Sequence, residues 1–305
     1  MNRITPHAHA AVNGCSFTDD PAMCSNAVSV QSDPPADPGD GGFEPLLAEP
    51  FASAWAADDA ETAALSGGLR GRLLERLSAS RAASAAMFTS RLWRLAALEL
   101  APGVGARTLY AAPDGRALRP GEPSRARLIE LQPGARWDGP EARQQREWLV
   151  LRGAARIGDT GLRLRDYHVA PAGAPAGAVG SDEGALMYLR ESTLPAGAGG
   201  AAFTVRDDDS DWPDYAPGIQ RRVLWQHAGQ AAMLYRARAG ASVPLHTHGH
   251  DEECLMVQGE LFLDDELLQE GDYQLAPAGT RHRTTETDTG VVLYAHGDLD
   301  LQFVA

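Results

Sequence analysis

The chain has 305 residues, 44% of them hydrophobic, which is enough for two ordinary globular domains. Its formal net charge of -14 disfavours a nucleic-acid-binding surface, and no basic stretch interleaved with aromatic residues occurs. All 27 basic residues are arginine. Because lysine is lacking, Schiff-base chemistry and Walker-type phosphate binding are excluded.

The chain carries no recognisable membrane or export sequence. No apolar run reaches membrane-spanning length, and residues 1–30 contain no apolar core of a signal peptide. The three cysteines form no disulfide framework. We therefore expect a cytoplasmic protein that binds neither membranes nor nucleic acids.

Residues 1–66 have little pattern that would form structure. The stretch SDPPADPGDGGFEP at 32–45 combines proline, glycine and acidic residues, so we expect a disordered N-terminal segment. Two histidines and two cysteines of this segment match no zinc-site spacing, and we interpret them as unliganded: His7, His9, Cys15 and Cys24.

A short linker helix is predicted over residues 67–87. Four leucines recur at helical spacing between arginines: Leu69, Leu73, Leu74 and Leu77. Such a helix could pack on a neighbouring barrel, form a homodimer contact, or connect to a segment that binds a partner protein.

From residue 88 onward, short apolar strands alternate with turns rich in Gly, Pro and Asp, which favours an all-β fold. The pattern is duplicated. A shift of 106 residues without a gap superposes these pairs: Gly134 and Gly240, Glu147 and Glu253, Gly153 and Gly259, Asp166 and Asp272, Tyr167 and Tyr273, and Tyr188 and Tyr294. We place the two copies at residues 88–199 and 200–305, divided near the flexible run at 197–202.

Metal-ligand residues are concentrated in the second copy. His246 and His248 are two apart and therefore point to one face of a strand. Glu252 follows four residues later, and His282 follows the turn at Pro277 and Gly279. Three imidazoles and one carboxylate suit a divalent first-row metal ion.

The residues around these ligands resemble the first sequence motif of the cupin superfamily. That motif is a glycine, five residues, HxH, three or four residues, Glu, six residues and a glycine. Every position is matched here, by Gly240, His246, His248, Glu252 and Gly259.

The second cupin motif is a glycine, five residues, PxG, two residues and a histidine, followed by an Asn. Gly271, Pro277, Gly279 and His282 match it, whereas Glu286 replaces the Asn, which carries no ligand in the family. The resemblance implies two tandem double-stranded β-helix, or jelly-roll, barrels whose ligands project into a barrel mouth.

The first copy has lost the ligand set. The positions equivalent to the four ligands hold Pro140, Ala142, Arg146 and Ala176, none of which can bind a cation. We therefore predict one divalent metal ion per chain, and a structural, ligand-pocket or interface role for the first barrel.

Strand alternation makes predictions for the neighbours of the ligands. Glu253 should face outward from its barrel, while Cys254 and Met256 should point inward and pack in the core. Cys254 would be redox-sensitive only with an accessible thiolate. His227, His250 and His296 fit no ligand position.

Among cupins, the chain is most similar to the ChrR-like branch, through the Glu252–Glu253 pair and the residues at 259–261 and 271–282. The resemblance implies a regulatory module for oxidative stress or a small ligand, with zinc bound and a sigma factor as partner. One feature departs from that branch. Its N-terminal zinc motif of His, three residues, Cys, two residues and Cys does not occur in residues 1–87.

The alternative function is a cupin-type dioxygenase that uses iron or manganese. Four protein ligands close a tetrahedral zinc site but leave positions open on a five- or six-coordinate metal, and open positions suit O2 chemistry. The sequence leaves both functions open, because cupins host many activities.

Overall fold

The computed structural model describes residues 51–175, 177–193, 200–209 and 211–303, with side chains from residue 68 onward. The chain divides into two units, Met1–Ser66 and Gly67–Ala305. Of the first unit, only the helical backbone after residue 50 is described. Residues 1–50 of the predicted disordered segment 1–66, with its two histidines and two cysteines, lie outside the described residues, whereas residues 51–66 have a helical backbone and not the predicted disorder.

The first half of the second unit consists of short antiparallel strands. They are β1 (Phe88–Ser90), β2 (Leu98–Ala101), β3 (Val104–Ala111), β4 (Pro123–Leu131), β5 (Arg136–Trp137), β6 (Gln145–Gly153), β7 (Ala155–Ile157), β8 (Thr160–Leu162), β9 (Tyr167–Ala170), β10 (Val179–Gly180), β11 (Ala185–Ser192) and β12 (Phe203–Val205), with a 3-10 turn at Leu92–Arg94.

The second half repeats this succession. Its strands are β13 (Asp214–Ala216), β14 (Ile219–His227), β15 (Gln230–Ala237), β16 (Ser242–Val243), β17 (His246–Thr247), β18 (Glu252–Leu263), β19 (Glu266–Gln269), β20 (Tyr273–Ala276), β21 (Arg281–His282), β22 (Thr285–Glu286), β23 (Val291–Asp298) and β24 (Gln302–Phe303).

Two large sheets have the same strand order. One is β12-β9-β6-β11-β4-β3-β2, accompanied by the small sheet β5-β10-β7-β8, and we call this half barrel 1. The other is β1-β20-β18-β23-β15-β14-β13, with β16, β19 and β22 attached and β21-β17-β24 as a small sheet, and we call it barrel 2. The predicted all-β class with two jelly-roll barrels is confirmed.

Each barrel receives a strand from the other half of the chain. Phe88 of β1 pairs with Leu275 of barrel 2, and Phe203 of β12 pairs with Val169 of barrel 1. The residue that follows each strand then bonds an equivalent aspartate of that barrel: Arg91 Nη1 lies 3.0 Å from Asp272 Oδ2, and Arg206 Nη1 lies 2.8 Å from Asp166 Oδ2.

The predicted boundaries at 88 and 200 therefore assign both exchanged strands to the wrong barrel. The sequence did contain a sign of the exchange, since FTSR at 88–91 is echoed by FTVR at 203–206. A shift of 106 residues does not align these segments, because the two copies differ in length upstream of the gap-free region.

The repeated glycines at the end of β6 and near the middle of β18 are required by sterics. Gly153 and Gly259 have φ of 70° and 78°, in the left-handed region that disfavours side chains. A Cβ atom there would lie 2.1 Å from the carbonyl oxygen of Gly184 and 2.3 Å from that of Gly290, respectively. Both halves thus need glycine for the same close approach between strands.

Three apolar cores stabilise the second unit. One fills barrel 1 around Trp148 and Met187, and one fills barrel 2 around Met256 and Leu293. The third lies between the barrels and takes residues from both, including Leu149 and Leu255. The large sheets therefore pack face to face, and the outer face of each barrel is covered by the other.

The helix α1 spans Phe51–Ala86, 36 residues, so it is much longer than the predicted 67–87 linker. The prediction began the helix too late because the Ala-rich stretch before residue 66 has no leucine stripe, although alanine is the best helix former. Gly67 and Gly68 did not end the helix, because each glycine costs only about 1 kcal/mol in a helix interior. The described residues contain no helix that could span a membrane.

The leucines of α1 do not pack on barrel 2. Leu69, Leu73, Leu74 and Leu77 are 45–57% exposed. The helix instead contacts barrel 2 through polar residues: Ser80 and Ser84 donate hydrogen bonds to Asp265 and Glu266, and Arg76 lies 3.6 Å from Asp265. The helix therefore contacts a barrel, as one interpretation of the sequence expects, but through polar residues and not through its leucines.

Candidate metal centre

Three adjacent elements of barrel 2 carry the predicted ligands. His246 of β17 is the antiparallel partner of His282 in β21, so the register of one strand pair brings these two side chains together. Glu252 is the first residue of β18. The turn after Pro277 is held against His248, whose N–H donates to Thr280 O at 3.1 Å and whose carbonyl accepts from Gly279 N at 2.7 Å.

The four side chains meet in one buried cluster. The ring centroids of His248 and His282 are 4.9 Å apart, and those of His246 and His248 are 5.3 Å apart. Glu252 Oε2 lies 3.3 Å from His248 Nδ1 and 3.6 Å from His282 Nε2. The three histidines are only 1–4% exposed. All four predicted site residues are therefore brought together.

A hydrogen bond orients His246, and a nearby carboxylate faces His282. His246 Nδ1 donates to Pro244 O at 2.9 Å, which leaves Nε2 with its lone pair for a metal ion. His282 Nδ1 faces Asp264 Oδ2 at 3.7 Å. A carboxylate behind a ligand histidine fixes the ring and makes the ligand atom more basic.

Electrostatics favour an ionised Asp264 and a neutral His248. Burial tends to raise the pKa of Asp264, but the nearby His282 ring and hydrogen bonds from the backbone N–H groups of Arg283 and Thr284 outweigh it and lower the pKa. Burial lowers the pKa of His248, although Glu252 opposes this shift. Neutral imidazoles are the form that binds metal ions.

Buried histidine nitrogens without hydrogen-bond partners show whether the cluster fits a metal ion. His248 Nε2 and His282 Nε2 are buried and have no hydrogen-bond partner among the described residues. A buried polar atom without a partner costs about 1–3 kcal/mol. A divalent cation would accept these lone pairs together with the Glu252 carboxylate, so the residues fit such an ion.

A small apolar cavity adjoins the cluster inside barrel 2. Its volume is about 60 Å³. Glu252 is the one charged side chain in its lining, and the other lining residues are Tyr215, Ile219, Tyr235, Ala237, Ala241, Ser242, Val243, His246, Cys254, Leu261, Leu263, Thr285, Thr287, Val291, Leu293, Ala295 and Leu301. The side chains of this wall include no Arg, so a metal ion held at Glu252 and His246 would be the group that pairs with an anionic ligand.

Cys254 forms part of this wall. Burial, followed by the charges of Glu252 and Glu253, raises the pKa of its thiol well above the usual value. The thiolate is the reactive form, so Cys254 in the folded protein is a poor redox sensor. Cys254 and Met256 pack in the core of barrel 2, as alternation predicts.

The corresponding place in barrel 1 holds a cation of the protein itself. Arg146 pairs with Ala170 in the strand register that places Glu252 opposite Ala276 in barrel 2. Its guanidinium is buried and donates from Nη2 to Ala174 O at 2.8 Å. A permanent positive charge at this position opposes metal binding. Pro140 and Ala142 complete the non-ligand set, while Ala176 lies outside the described residues.

Three further histidines of the described part of the chain make other contacts. His250 Nδ1 pairs with Asp298, and His227 is half-buried on β14. His296 is buried, and its ring stacks on Trp225 with the centroids 5.7 Å apart.

Sequence reasoning missed the residues that surround the site from barrel 1. Arg190 and Arg119 reach the two neighbours of Glu252, namely Glu253 and Asp251. Glu253 does face outward from barrel 2, but barrel 1 covers it, so it is buried rather than solvated. The repeat contained a sign of this burial. Glu147 and Glu253 occupy equivalent positions, and a position exposed to solvent would not need the same residue in both copies.

Comparison with known families identifies the second half of the chain. Residues 201–300 match the family model described as the ChrR cupin-like domain. This range includes all four predicted ligands. A sequence search of curated proteins found no match.

Solved structures with the same fold are more distant. A Nostoc punctiforme protein described as a candidate dioxygenase is 16% identical, with a TM-score of 0.53 over 72% of this chain and 85% of that chain. Bacillus subtilis oxalate decarboxylase, described for its Mn(II) centres, is 17% identical, with a TM-score of 0.52 over 71% and 78%. Lactobacillus farciminis oxalate decarboxylase in a formate complex is 12% identical, with a TM-score of 0.54 over 71% and 88%. At these identities the likeness establishes the two-barrel fold alone.

Proposed function

We propose that this chain, a two-barrel protein of the cupin superfamily, is a cytoplasmic regulatory module that responds to its metal-loaded state. The observation that carries the proposal is the match of barrel 2 to the ChrR cupin-like domain, together with the exposed leucine stripe of α1. The ion is held by His246, His248, Glu252 and His282.

Zinc is the ion that this function requires. Four protein ligands complete its tetrahedral coordination, and zinc supplies structure without redox chemistry. The carboxylate of Asp264 behind His282 would strengthen the site, as outer partners of ligand histidines generally do. A zinc ion whose four coordination positions are all filled by the protein would hold β17, β18 and β21 in a fixed arrangement.

The partner is a protein that binds α1, and a sigma factor is the partner that the ChrR resemblance implies. The helix presents Leu69, Leu73 and Leu77 at successive turns, flanked by Arg70 and Arg72. An apolar stripe with basic flanks fits an amphipathic acidic surface. Because α1 touches barrel 2 at Asp265 and Asp264 is next to it in sequence, the metal centre and the helix share one turn.

A dioxygenase is the second candidate, and the cavity beside Glu252 is what favours it. Iron or manganese would keep open coordination positions for O2 next to that space. The lining contains no Arg, so the metal ion would be the group that pairs with a polar or anionic atom of the substrate.

One experiment separates the two functions. Protein purified without added metal is analysed for metal content and then tested for oxygen uptake with neutral diketones, thiols and catechols. The regulatory function predicts about one zinc per chain and no uptake. Substrate-dependent uptake that returns only with iron or manganese, and disappears in His282→Ala, would establish the dioxygenase instead.

The partner is tested by affinity capture with the metal-loaded protein and with a Leu69→Glu/Leu73→Glu variant. The regulatory function predicts capture of a sigma factor by the wild type and loss of capture in the variant. His250→Ala serves as a matched surface control and should retain the partner.

A further inference from the structure

The two residues that flank Glu252 in sequence are both held by arginines of barrel 1. Asp251 bonds Arg119, and Glu253 bonds Arg190. Because side chains alternate along a strand, Glu252 points into barrel 2 while its neighbours point away from the barrel interior. Barrel 1 therefore holds Glu252 indirectly, through its contacts with the residues on either side of it.

In the first contact, one guanidinium nitrogen reaches both oxygens of a carboxylate. Arg119 Nη2 lies 2.6 Å from both carboxylate oxygens of Asp251. Oδ1 of Asp251 also accepts from Ala278 N at 2.8 Å, within the turn that leads to His282. Asp251 therefore links the strand that carries Glu252 to the turn that carries another ligand, and Arg119 holds Asp251.

The second contact is fully buried. Arg190 Nε donates to Glu253 Oε1 at 2.7 Å. Glu253 also accepts from the hydroxyl of Tyr273, at 2.8 Å, on the strand that runs toward the same turn. This contact fixes β18 and β20 to barrel 1 immediately behind the metal cluster.

Both arginines belong to one rigid part of barrel 1. Arg190 Nη2 donates to Gly121 O at 2.8 Å, two residues from Arg119. The backbone N–H of Arg119 donates to Glu122 Oε2 at 2.7 Å, and Thr193 Oγ1 donates to Arg119 O at 2.5 Å. A shift of barrel 1 would therefore move both contacts together.

We propose that Arg119 and Arg190 form a clamp by which the ligand-less barrel 1 positions Glu252 and so determines the metal affinity of barrel 2. The inference rests on the proposed metal site. It gives a role to the barrel that lost its own ligands, because outer contacts of a ligand commonly change metal affinity by about 10–100-fold.

The test uses Arg119→Ala, because this side chain is 58% exposed and its loss leaves the fold intact, whereas loss of buried Arg190 threatens folding. Zinc affinity is measured by competition with a chelator in the full-length protein. We expect about a 10-fold loss for Arg119→Ala. Arg119→Lys should recover part of it, since an ammonium keeps the charge but lacks the planar guanidinium.

A matched control is Arg107→Ala. This arginine also belongs to barrel 1, is partly exposed and pairs with a carboxylate, Glu130, at 3.3 Å, but it lies away from Glu252. Its zinc affinity should equal that of the wild type. Thermal midpoints of the metal-free proteins should agree for wild type and both variants.

A spectroscopic measurement distinguishes positioning from a general structural effect. Cobalt(II) replaces zinc, and its visible absorption reports the coordination of the ion. The clamp predicts a changed cobalt spectrum in Arg119→Ala and an unchanged spectrum in Arg107→Ala. Asp251→Asn should give the same change, and the double variant Arg119→Ala/Asp251→Asn should add little to either.

Two negative outcomes are distinguishable. If the wild type binds no metal ion, the proposed function and the clamp both fail. If the wild type binds zinc but Arg119→Ala matches Arg107→Ala in affinity and spectrum, the metal site stands and the clamp is wrong. A loss of affinity that only follows a lower thermal midpoint would also refute positioning.

Discussion

Glu147 and Glu253 occupy equivalent positions 106 residues apart and share one guanidinium, that of Arg190. Arg190 donates from Nη1 to Glu147 at 2.8 Å and from Nε to Glu253 at 2.7 Å. All three side chains are fully buried between the barrels. The glutamates at this repeated position thus form the polar centre of the interface, and both pair with one arginine that has no arginine counterpart in the second copy.

Two pairs of tyrosines, each pair at equivalent positions of the repeat, complete this cluster. Tyr167 donates to Glu147 at 2.6 Å and Tyr273 donates to Glu253 at 2.8 Å, each within its own barrel. The remaining two tyrosines, Tyr294 and Tyr188, cross between the barrels to the same carboxylates at 3.2 and 3.3 Å, respectively. Burial raises the pKa of Glu147, but Arg190, His296 and hydrogen bonds outweigh burial and lower the pKa to about 2.

Removing the shared cation should be strongly destabilising. Arg190→Met leaves two carboxylates buried without their partner, a situation that costs about 3–5 kcal/mol. Urea unfolding at neutral pH measures the loss. Adding Glu147→Gln and Glu253→Gln should recover much of the stability. The exposed-pair control Arg107→Met should change stability by about 0–1 kcal/mol, and an Arg190→Met protein as stable as the wild type would contradict the model of the interface.

His296 occupies the position equivalent to Arg190 and makes stability depend on pH. Burial, then the charge of Arg190, lowers its pKa from 6.5 to about 3. The unfolded chain takes up a proton near pH 6.5 while the folded protein does not. The free energy of unfolding should therefore decrease as pH falls from about 6.5 toward 3, by up to about 1.4 kcal/mol per pH unit for this group.

The measurement is urea unfolding at a series of pH values, with metal removed. His296→Gln should reduce the slope between pH 6.5 and the carboxylate range without abolishing it, because the pKa values of His248 and His168 are also lowered. His227→Gln, a half-buried control, should keep the slope of the wild type. Below pH 4.5, Glu147 adds to the loss in the same direction, because its folded pKa is depressed. Identical slopes for His296→Gln and wild type would show that His296 is not buried as a neutral group.

The ligand assignment makes a direct prediction. His246→Ala or His248→Ala should weaken zinc binding by at least about 100-fold, since even outer-shell changes cost 10–100-fold. His250→Ala should leave affinity unchanged, because its ring pairs with Asp298 outside the cluster. Chelator competition measures all three. Loss of metal in His250→Ala but not in His248→Ala would mean that the register of β17 is wrong.

Cys254 should be unreactive in the native protein. Its thiol is buried and its raised pKa leaves little thiolate. In a Cys15→Ser/Cys24→Ser background, we expect alkylation at mildly alkaline pH only as fast as the protein unfolds. The same reagent in concentrated guanidinium provides the full-rate control. Rapid labelling of the folded protein would restore Cys254 as a candidate redox group.

Local sequence patterns were sufficient to identify the residues that could form the site. The HxH spacing, Glu252 and the turn before His282 fix the ligand positions locally, because strand alternation and a short turn decide which side chains share a face. The repeat likewise determined that the second copy alone keeps the ligand set, since Arg146 stands where Glu252 does. It also determined the all-β class.

What covers those faces depends on long-range packing, which local sequence patterns do not encode. Alternation places Glu253 outside barrel 2 but cannot tell solvent from a second barrel, and the arginine that pairs with it comes from 63 residues away. The partner of Asp251 is 132 residues away. The exchange of β1 and β12 depends in the same way on pairing between distant segments. Local pattern encodes the direction of a side chain, whereas its partner follows from how the two sheets pack, and that packing is set by the whole interface at once.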